Sequence, residues 1–247
     1  MSVTVPRGRA EQARAVMLGL FPEGFEEADE GGGVELAAYT NAAGEERIWH
    51  AFGAASGRDV DEDWPDRWRA FHRPVVAGGL WIGPPWEEPP VTLPAVVIDP
   101  GRAFGTGAHP TTRLCVELLS GQEPGSLLDI GCGSGVLSIA AARLGFGPVV
   151  AVDVDPVAVE VTRANAAANG VEVDALVLDA VEEELPPAAM AVANIAPEPV
   201  LAIGGRLHTD RAITSGYLSS DEPGLPGFRR TQRVELDGWA ADLHVRE

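Results

Sequence analysis

Apolar residues fall into two kinds of run along the second half of the chain. Short, nearly uninterrupted runs cover Leu127 to Ile130, Val149 to Val152, Val173 to Leu178, Ala189 to Ile195 and Arg211 to Tyr217. Each has the length and character of a buried strand. Between them, Val136 to Leu144 and Pro156 to Asn169 carry helical spacing, with Gly145 and Gly170 at or just past their ends. Alternating strands and helices predict a parallel sheet with helices on both faces. The end of the chain differs. Phe228 to Leu236 and Trp239 to Val245 flank Asp237-Gly238, the signal of a tight antiparallel hairpin. The expected main domain is therefore α/β, with seven strands, mostly parallel, closed by an antiparallel hairpin.

The first half is less regular. Ser2 to Val5 alternates like a strand, and Glu11 to Leu20 places Ala13, Val16, Met17 and Leu20 at helical spacing. Gly31-Gly32-Gly33 breaks the chain. Val34 to Tyr39 and Arg47 to Phe52 then read as strands around a turn at Asn41 to Gly44. This β-α-β-β pattern predicts a small α+β domain over 1–58. Residues 59–90 read as a linker with a helix. It opens on Asp59, Asp61, Glu62 and Asp63, and Trp64, Trp68 and Phe71 follow at near-helical spacing. Five of the six tryptophans lie between 49 and 86, which suits packing between two domains. An aromatic substrate cage is the alternative. Pro84-Pro85 and Pro89-Pro90 mark the exit into a main domain over 91–247, which opens with a short strand at Val96 to Asp99.

Charge narrows the class of partner. The net charge is −19, and all 18 cationic residues are Arg. Such a chain repels polyanions, so sequence-independent binding to duplex nucleic acid is disfavoured and a basic partner is expected. The two cysteines, Cys115 and Cys132, lack metal-ligand spacing, so no metal is expected and the setting is a reducing one. No basic start leads a long apolar run, and no run reaches membrane-spanning length. A cytoplasmic protein is expected.

The chemistry centres on Asp129-Ile130-Gly131-Cys132-Gly133-Ser134-Gly135. A glycine-rich turn between strand and helix lets the backbone pass close to a nucleoside ligand. The spacing here is G-x-G-x-G, not the dinucleotide G-x-G-x-x-G, and Asp129 stands two residues ahead of it. A carboxylate there repels a pyrophosphate and suits a cationic ligand end, such as the ammonium of a methionine moiety. Asp153 ends the next strand, about 20 residues past the glycines, where an acid accepts ribose hydroxyls. Asp155, followed by Pro156, fits the helix cap better. Asp179 ends the third strand and is a further cofactor candidate. Asn194, at the end of the fourth, has an amide carbonyl able to hold a nucleophilic amine by its N–H; an Asx-type turn before a proline is the alternative. The segment Asp99 to Thr112 reads as an ordered loop leading into a helix with Leu114, Cys115, Leu118 and Leu119 on one face. Thr111 or Thr112 sits where a hydroxyl caps the helix or bonds a ligand. His109 is a candidate base, or else a hydrogen-bonded structural residue.

These motifs carry a family resemblance. The Asp-x-Gly-x-Gly-x-Gly turn resembles the first motif of methyltransferases that use S-adenosyl-L-methionine. Together with Phe104-Gly105-Thr106-Gly107-Ala108-His109-Pro110-Thr111-Thr112, Asp153-Val154-Asp155-Pro156 and Asn194-Ile195, it is similar to the PrmA family. The resemblance covers roughly 60 to 247 and is poor over the first 55 residues, the region that reads the substrate in the family. It implies a Rossmann-like fold and transfer of methyl groups to lysine or N-terminal amines of the eleventh protein of the large ribosomal subunit. No direct nucleic-acid binding and no membrane partner are expected from the charge and the lack of long apolar runs, and a monomer is expected. The family's cofactor contacts map onto Thr112, Gly131, Asp153 and Asn194; Phe104, Gly105, Thr106, Thr111, Asp129, Gly133, Gly135 and Asp179 complete the expected cofactor site. Asn194 and Ile195 are the expected substrate contacts. Competing readings are a nucleic-acid base methyltransferase, the same fold acting on another protein or small amine, and a non-catalytic cofactor-binding module.

Overall fold

The structure is a computed structural model that describes residues 1–21, 25–30, 33–38, 42–53, 73–99 and 105–247. It divides into two compact units, Met1–Trp68 and Arg69–Glu247.

The first unit is a three-stranded antiparallel sheet with two helices. Strands β1 (Ser2–Pro6), β2 (Glu26–Glu30) and β3 (Gly33–Ala37) lie in the order β1-β3-β2. Helices α1 (Ala10–Leu20) and α2 (Ala42–Phe52) supply Ala13, Met17 and Ile48 to a core shared with Val3, Val5, Val34 and Leu36. Two expectations are corrected here. Arg47 to Phe52 is the end of α2, not a strand. Ile48 and Phe52 pack inward at a spacing of four, which fits both periods, but Arg47, His50 and Ala51 are all exposed and Trp49 is 58% exposed. In a strand His50 would share the inner face with Ile48. The missing strand is β2, Glu-Glu-Ala-Asp-Glu, which has no apolar alternation. It forms by pairing with β3 along its whole length, from Glu26 opposite Ala37 to Glu30 opposite Gly33.

In the second unit, part of the expected linker is a sheet. Strands β4 (Val75–Ala77), β5 (Leu80–Gly83) and β6 (Ala95–Val97) lie in that order. Gly78 and Gly79 both have positive φ, the turn chemistry of a two-residue hairpin, so this correction had a sequence signal. Trp81 is buried on β5. The acidic run, Trp64, Trp68 and Phe71 lie outside the described residues.

The main sheet has seven strands in the order β12-β13-β11-β10-β7-β8-β9. Strands β7 (Leu127–Ile130), β8 (Val149–Asp153), β9 (Asp174–Val177), β10 (Met190–Asn194) and β11 (Arg211–Leu218) run parallel. Strands β12 (Phe228–Leu236) and β13 (Trp239–Arg246) form the antiparallel hairpin, with positive φ at Asp237 and Gly238 as a tight turn requires. Helices α3 (Pro110–Ser120), α4 (Val136–Arg143) and α5 (Pro156–Ala168) cover one face. Helix α6 (Pro197–Ile203), absent from the sequence reading, packs Val200 and Ile203 on the other. Its start has Pro197 at the first helical position. Among the described residues no helix is long and apolar enough to cross a membrane.

The C-terminal end of α5 clamps β6 and its continuation. Asn169 Oδ1 accepts from Val97 N at 2.8 Å, and Asn169 Nδ2 donates to Val97 O at 2.6 Å. One turn earlier, Asn165 Oδ1 accepts from Asp99 N at 3.3 Å, while its Nδ2 donates to Ser134 O at 2.9 Å. One helix thus holds both β6 and its continuation, through Val97 and Asp99, and the glycine turn. Asn169→Ala leaves the two Val97 backbone groups without these partners. The expected loss is about 2–4 kcal/mol: roughly 1–3 kcal/mol for each of the two groups, taken toward the lower end because both are only part-buried. Urea unfolding followed by circular dichroism measures it; a loss below about 0.5 kcal/mol would show that water replaces the clamp.

Candidate active site

Parallel strands all finish at one edge, and the strand order reverses beside β7, between β7 and β10. A ligand crevice opens at such a point. The turn after β7 is fixed by the neighbouring strand: Gly131 N and Cys132 N both donate to Val152 O, at 2.8 and 3.1 Å. Gly133 N then donates to Asp153 Oδ2 at 3.0 Å. A Cβ on Gly131 would lie 2.4 Å from Ile195 Cγ2, so this glycine is what lets the turn meet the end of β10. Behind the turn, Thr162 Oγ1 donates to Gly133 O at 3.0 Å, and Gly135 caps α4 with φ 81°.

Two acids at this edge have opposite settings. Asp153 is half-buried at the end of β8. Its Oδ2 takes the Gly133 N–H and its Oδ1 takes the Asp155 N–H at 3.0 Å. Each carboxylate oxygen has a second lone pair, enough for a pair of vicinal hydroxyls. Asp155 caps α5 through Val157 N at 2.8 Å, with Pro156 behind it, as its sequence predicts. Asp129 faces the interior. It is 1% exposed and accepts from Ser138 Oγ at 2.6 Å. Burial pushes its pKa up to about 6, against the opposing pull of the Ser138 hydrogen bonds. Cys132 and Cys115 are both free and buried, and burial pushes the Cys132 thiol up to about 12.

The 105–112 segment closes over the turn from the other side. Ser134 Oγ donates to Gly105 O. His109 is the N-cap of α3: its Nδ1 accepts from Thr111 N at 3.4 Å and lies 2.8 Å from Thr111 Oγ1. Its ring packs edge-on to Trp239 at 4.8 Å, and burial lowers its pKa. This is the structural setting weighed against the base role. Thr111 and Thr112 are buried. Thr112 Oγ1 accepts from Asn194 Nδ2 at 3.4 Å. That bond points the Asn194 amide, and its Oδ1 has no hydrogen-bond partner among the described residues. Asp179 holds the turn after β9, accepting from Val181 N at 2.9 Å through Oδ1. Phe104 lies outside the described residues, and Thr106 is half-buried in the loop. The structure thus brings Thr112, Gly131, Asp153, Asn194 and Ile195 to one edge. Among the described residues, no cluster of His, Cys, Asp and Glu fits a metal ion.

A family model described as ribosomal protein L11 methyltransferase (PrmA) matches residues 34–222. The chain belongs to this family. The ribosomal protein L11 methyltransferase of Azotobacter vinelandii is 40% identical over 205 residues, covering 76% of this chain and 70% of that protein. That of Dechloromonas aromatica is 46% identical over 181 residues, 72% of this chain but 58% of that protein. The crystal structure of a ribosomal protein L11 methylase from Lactobacillus delbrueckii subsp. bulgaricus superposes with a TM-score of 0.61 at 27% identity, over 68% of this chain and 95% of that one. The PrmA match thus takes in the glycine turn, Asp153 and Asn194. It also includes β3, a strand of the small unit in which the sequence resemblance was poor.

The Asp129 carboxyl holds its proton to higher pH when folded than when unfolded, where its ordinary value is 3.8. The native state therefore loses stability as pH rises from about 4 to about 6, and no further above that. Asp129→Asn keeps the size and removes the titration. Relative to the native chain, the variant should gain on the order of 2–3 kcal/mol between pH 4 and pH 7. Thermal unfolding without cofactor, run across that range, measures it. A difference that does not change with pH would mean that the carboxyl is hydrated.

Proposed function

We propose that this chain transfers methyl groups from S-adenosyl-L-methionine to amines of ribosomal protein L11, on lysine side chains, the N-terminal α-amine, or both. The observation that carries the reading is Asn194. Its amide ends β10 beside the glycine turn, tethered through Nδ2 to Thr112 and open at Oδ1. The edge fits the cofactor on its own geometry. Gly131 leaves no Cβ in the way, and Asp153 is held by two backbone N–H groups with lone pairs left over. Asp153 would hold the ribose hydroxyls, the turn after β7 the methionine part, and Asp179 the far end beyond β9. When bound, the cofactor supplies a methyl on a sulfonium, an intrinsically good leaving group.

The protein's own work is then aim and desolvation. Asn194 Oδ1 accepts an N–H of the neutral amine and turns its lone pair toward the methyl. An α-amine, with reference pKa about 7.7–8.0, is partly neutral at physiological pH; a lysine near 10.4 mostly is not, and removal from water lowers either. His109 stays with the start of α3, and the amine's proton leaves to solvent. The small N-terminal unit is assigned to substrate recognition. The −19 charge suits a basic ribosomal protein and opposes nucleic acid as the substrate.

Purified chain, labelled cofactor and ribosomal protein L11 test the whole reading. Label on L11 supports it, and label only on RNA, or on nothing, sinks it. Asp153→Ala should weaken cofactor binding about 10- to 150-fold by calorimetry, the worth of hydrogen bonds to a charged group at roughly 1.5–3 kcal/mol. Unchanged affinity in the folded variant would take Asp153 out of the site. Asn194→Ala should slow single-turnover transfer by about 100-fold, more than it weakens cofactor binding. Asn194→Asp adds a carboxylate that stabilises an ammonium and raises the amine's pKa. Its activity should fall at neutral pH and partly return toward pH 10. Wild-type rates for Asn194→Ala at every pH would leave the residue a turn former only.

A further inference from the structure

Strand β11 is interrupted beside Asn194. Asn194 pairs with Ser215 in the parallel ladder. On its other side, β11 pairs with β13 through Ser215 and again from Tyr217, with a register shift between them. Gly216 is the extra residue of this bulge, with φ 104°. Its Cα comes hard against the backbone of Ile195, the residue after Asn194. A Cβ there would lie 2.2 Å from Ile195 O, 2.7 Å from Ile195 C and 3.0 Å from Ile195 N. Ile195 N also donates to Ser215 O at 3.1 Å. From the opposite neighbour, Gly131 meets the Ile195 side chain. The end of β10 is thus gripped between two glycines on its two flanking strands.

The bulge is itself anchored from below. Tyr217, 2% exposed, returns the chain to the ladder. Its hydroxyl lies 2.9 Å from Thr214 O, 2.8 Å from Thr214 Oγ1 and 3.0 Å from Asp242 Oδ2. It therefore spans the bulge from Thr214 to Tyr217. Asp242 is 0% exposed, and Arg233 NH1 at 3.3 Å and Arg230 NH1 at 3.6 Å balance its charge. A carboxylate buried this far needs such partners. Ser215 Oγ donates to Ala240 O at 2.7 Å, and Thr214 Oγ1 lies 2.9 Å from His244 Nε2. These side chains are buried, and none of them is among the proposed cofactor contacts.

We propose that Gly216 and Tyr217 are positioning residues for methyl transfer: the bulge fixes the Ile195 backbone directly after Asn194, and the Tyr217 hydroxyl fixes the bulge. The inference rests on the reading of Asn194 as the residue that aims the amine. A strand end is where the ladder stops, so its last side chain gains freedom unless its neighbours hold it. A misplacement of about 1 Å costs on the order of 100-fold in rate.

The test compares Gly216→Ala and Tyr217→Phe with wild type by three measurements. They are single-turnover transfer to ribosomal protein L11 at saturating cofactor, cofactor affinity by calorimetry, and the side-chain amide 1H–15N resonances of Asn194, assigned by their loss in Asn194→Ala. Gly216→Ala should slow transfer by about 30-fold or more, with affinity within about threefold and the Asn194 resonances shifted. Tyr217→Phe, which removes one oxygen, should slow transfer about 5- to 10-fold with the same shift in kind, and it keeps the test alive if Gly216→Ala does not fold. Rates within twofold of wild type in the folded variants overturn the proposal. So do unmoved Asn194 resonances, whatever the rates. A wild-type rate in Asn194→Ala itself, with the resonances still moved by the bulge variants, would instead sink the aiming role of Asn194 and leave the grip standing.

Discussion

One carbonyl holds the site together. Val152 O receives the N–H groups of both Gly131 and Cys132, so the chain leaving β7 stays bound to β8 past the end of its own strand. That pair of hydrogen bonds sets the direction of the turn, and the next N–H, from Gly133, falls on Asp153. The turn and the acid are therefore one rigid piece. Everything else at the edge is fitted to it. Thr162 supports it from α5, Ser134 ties it to the loop at Gly105, and Ile195 packs against Gly131 from β10. Without that pair the turn has no fixed path, and Asp153 loses one of the two donors that orient it.

Legibility in the sequence followed the range of the interaction. The glycine turn, the Asp155-Pro156 cap and the Asp237-Gly238 hairpin are local, and each was readable because a few adjacent residues carry the whole physical reason. The errors came where partners decide. Ile48 and Phe52 fit two periods, and only the exposure of His50 separates helix from strand. β2 is acidic and exists because β3 pairs with it. Gly78-Gly79 is itself a local hairpin signal, set among tryptophans and prolines that read as a linker. The bulge at Gly216 could not have been read at all, since it depends on the register of β11 against β13 and on Ile195 of a third strand.

Within the site the same logic separates two identical side chains. Asp129 and Asp153 both look like ligand acids in the sequence. Their strands end side by side, yet Asp129 points into the sheet's interior against Ser138, while Asp153 stays half-open on backbone donors. Alternation puts both on one face, since Asp129 pairs with Ala151 and Asp153 lies two residues further along β8, so position along the strand makes the difference: Asp129 lies before the end of β7, where side chains still enter a packed layer, and Asp153 is the last residue of β8. A carboxylate inside that layer resists ionisation, so Asp129 suits a structural hydrogen bond better than a direct grip on a ligand.

The proposed reading also explains why the parts sit on different strands. Asn194 ends β10 and Asp153 ends β8, with β7 between them. At roughly 4.8 Å per strand, their ends are about 10 Å apart, and Asp179 past β9 is a further strand away. An extended ligand laid across strand ends can be held at several points without any one loop being long. The sheet, not the loops, then sets the distance between the ribose acid and the amide that faces the methyl. Loop motions change such a distance easily; two hydrogen-bonded strand spacings do not. What the sheet does not fix is the direction of the last side chain on each strand. At β8 the backbone N–H groups of Gly133 and Asp155 orient Asp153. At β10 the proposed orientation comes from Thr112 on the amide and from two glycine contacts on Ile195, Gly216 against its backbone and Gly131 against its side chain. In the proposed reading, binding and aim are secured by separate sets of partners, which is why their loss should be separable by experiment.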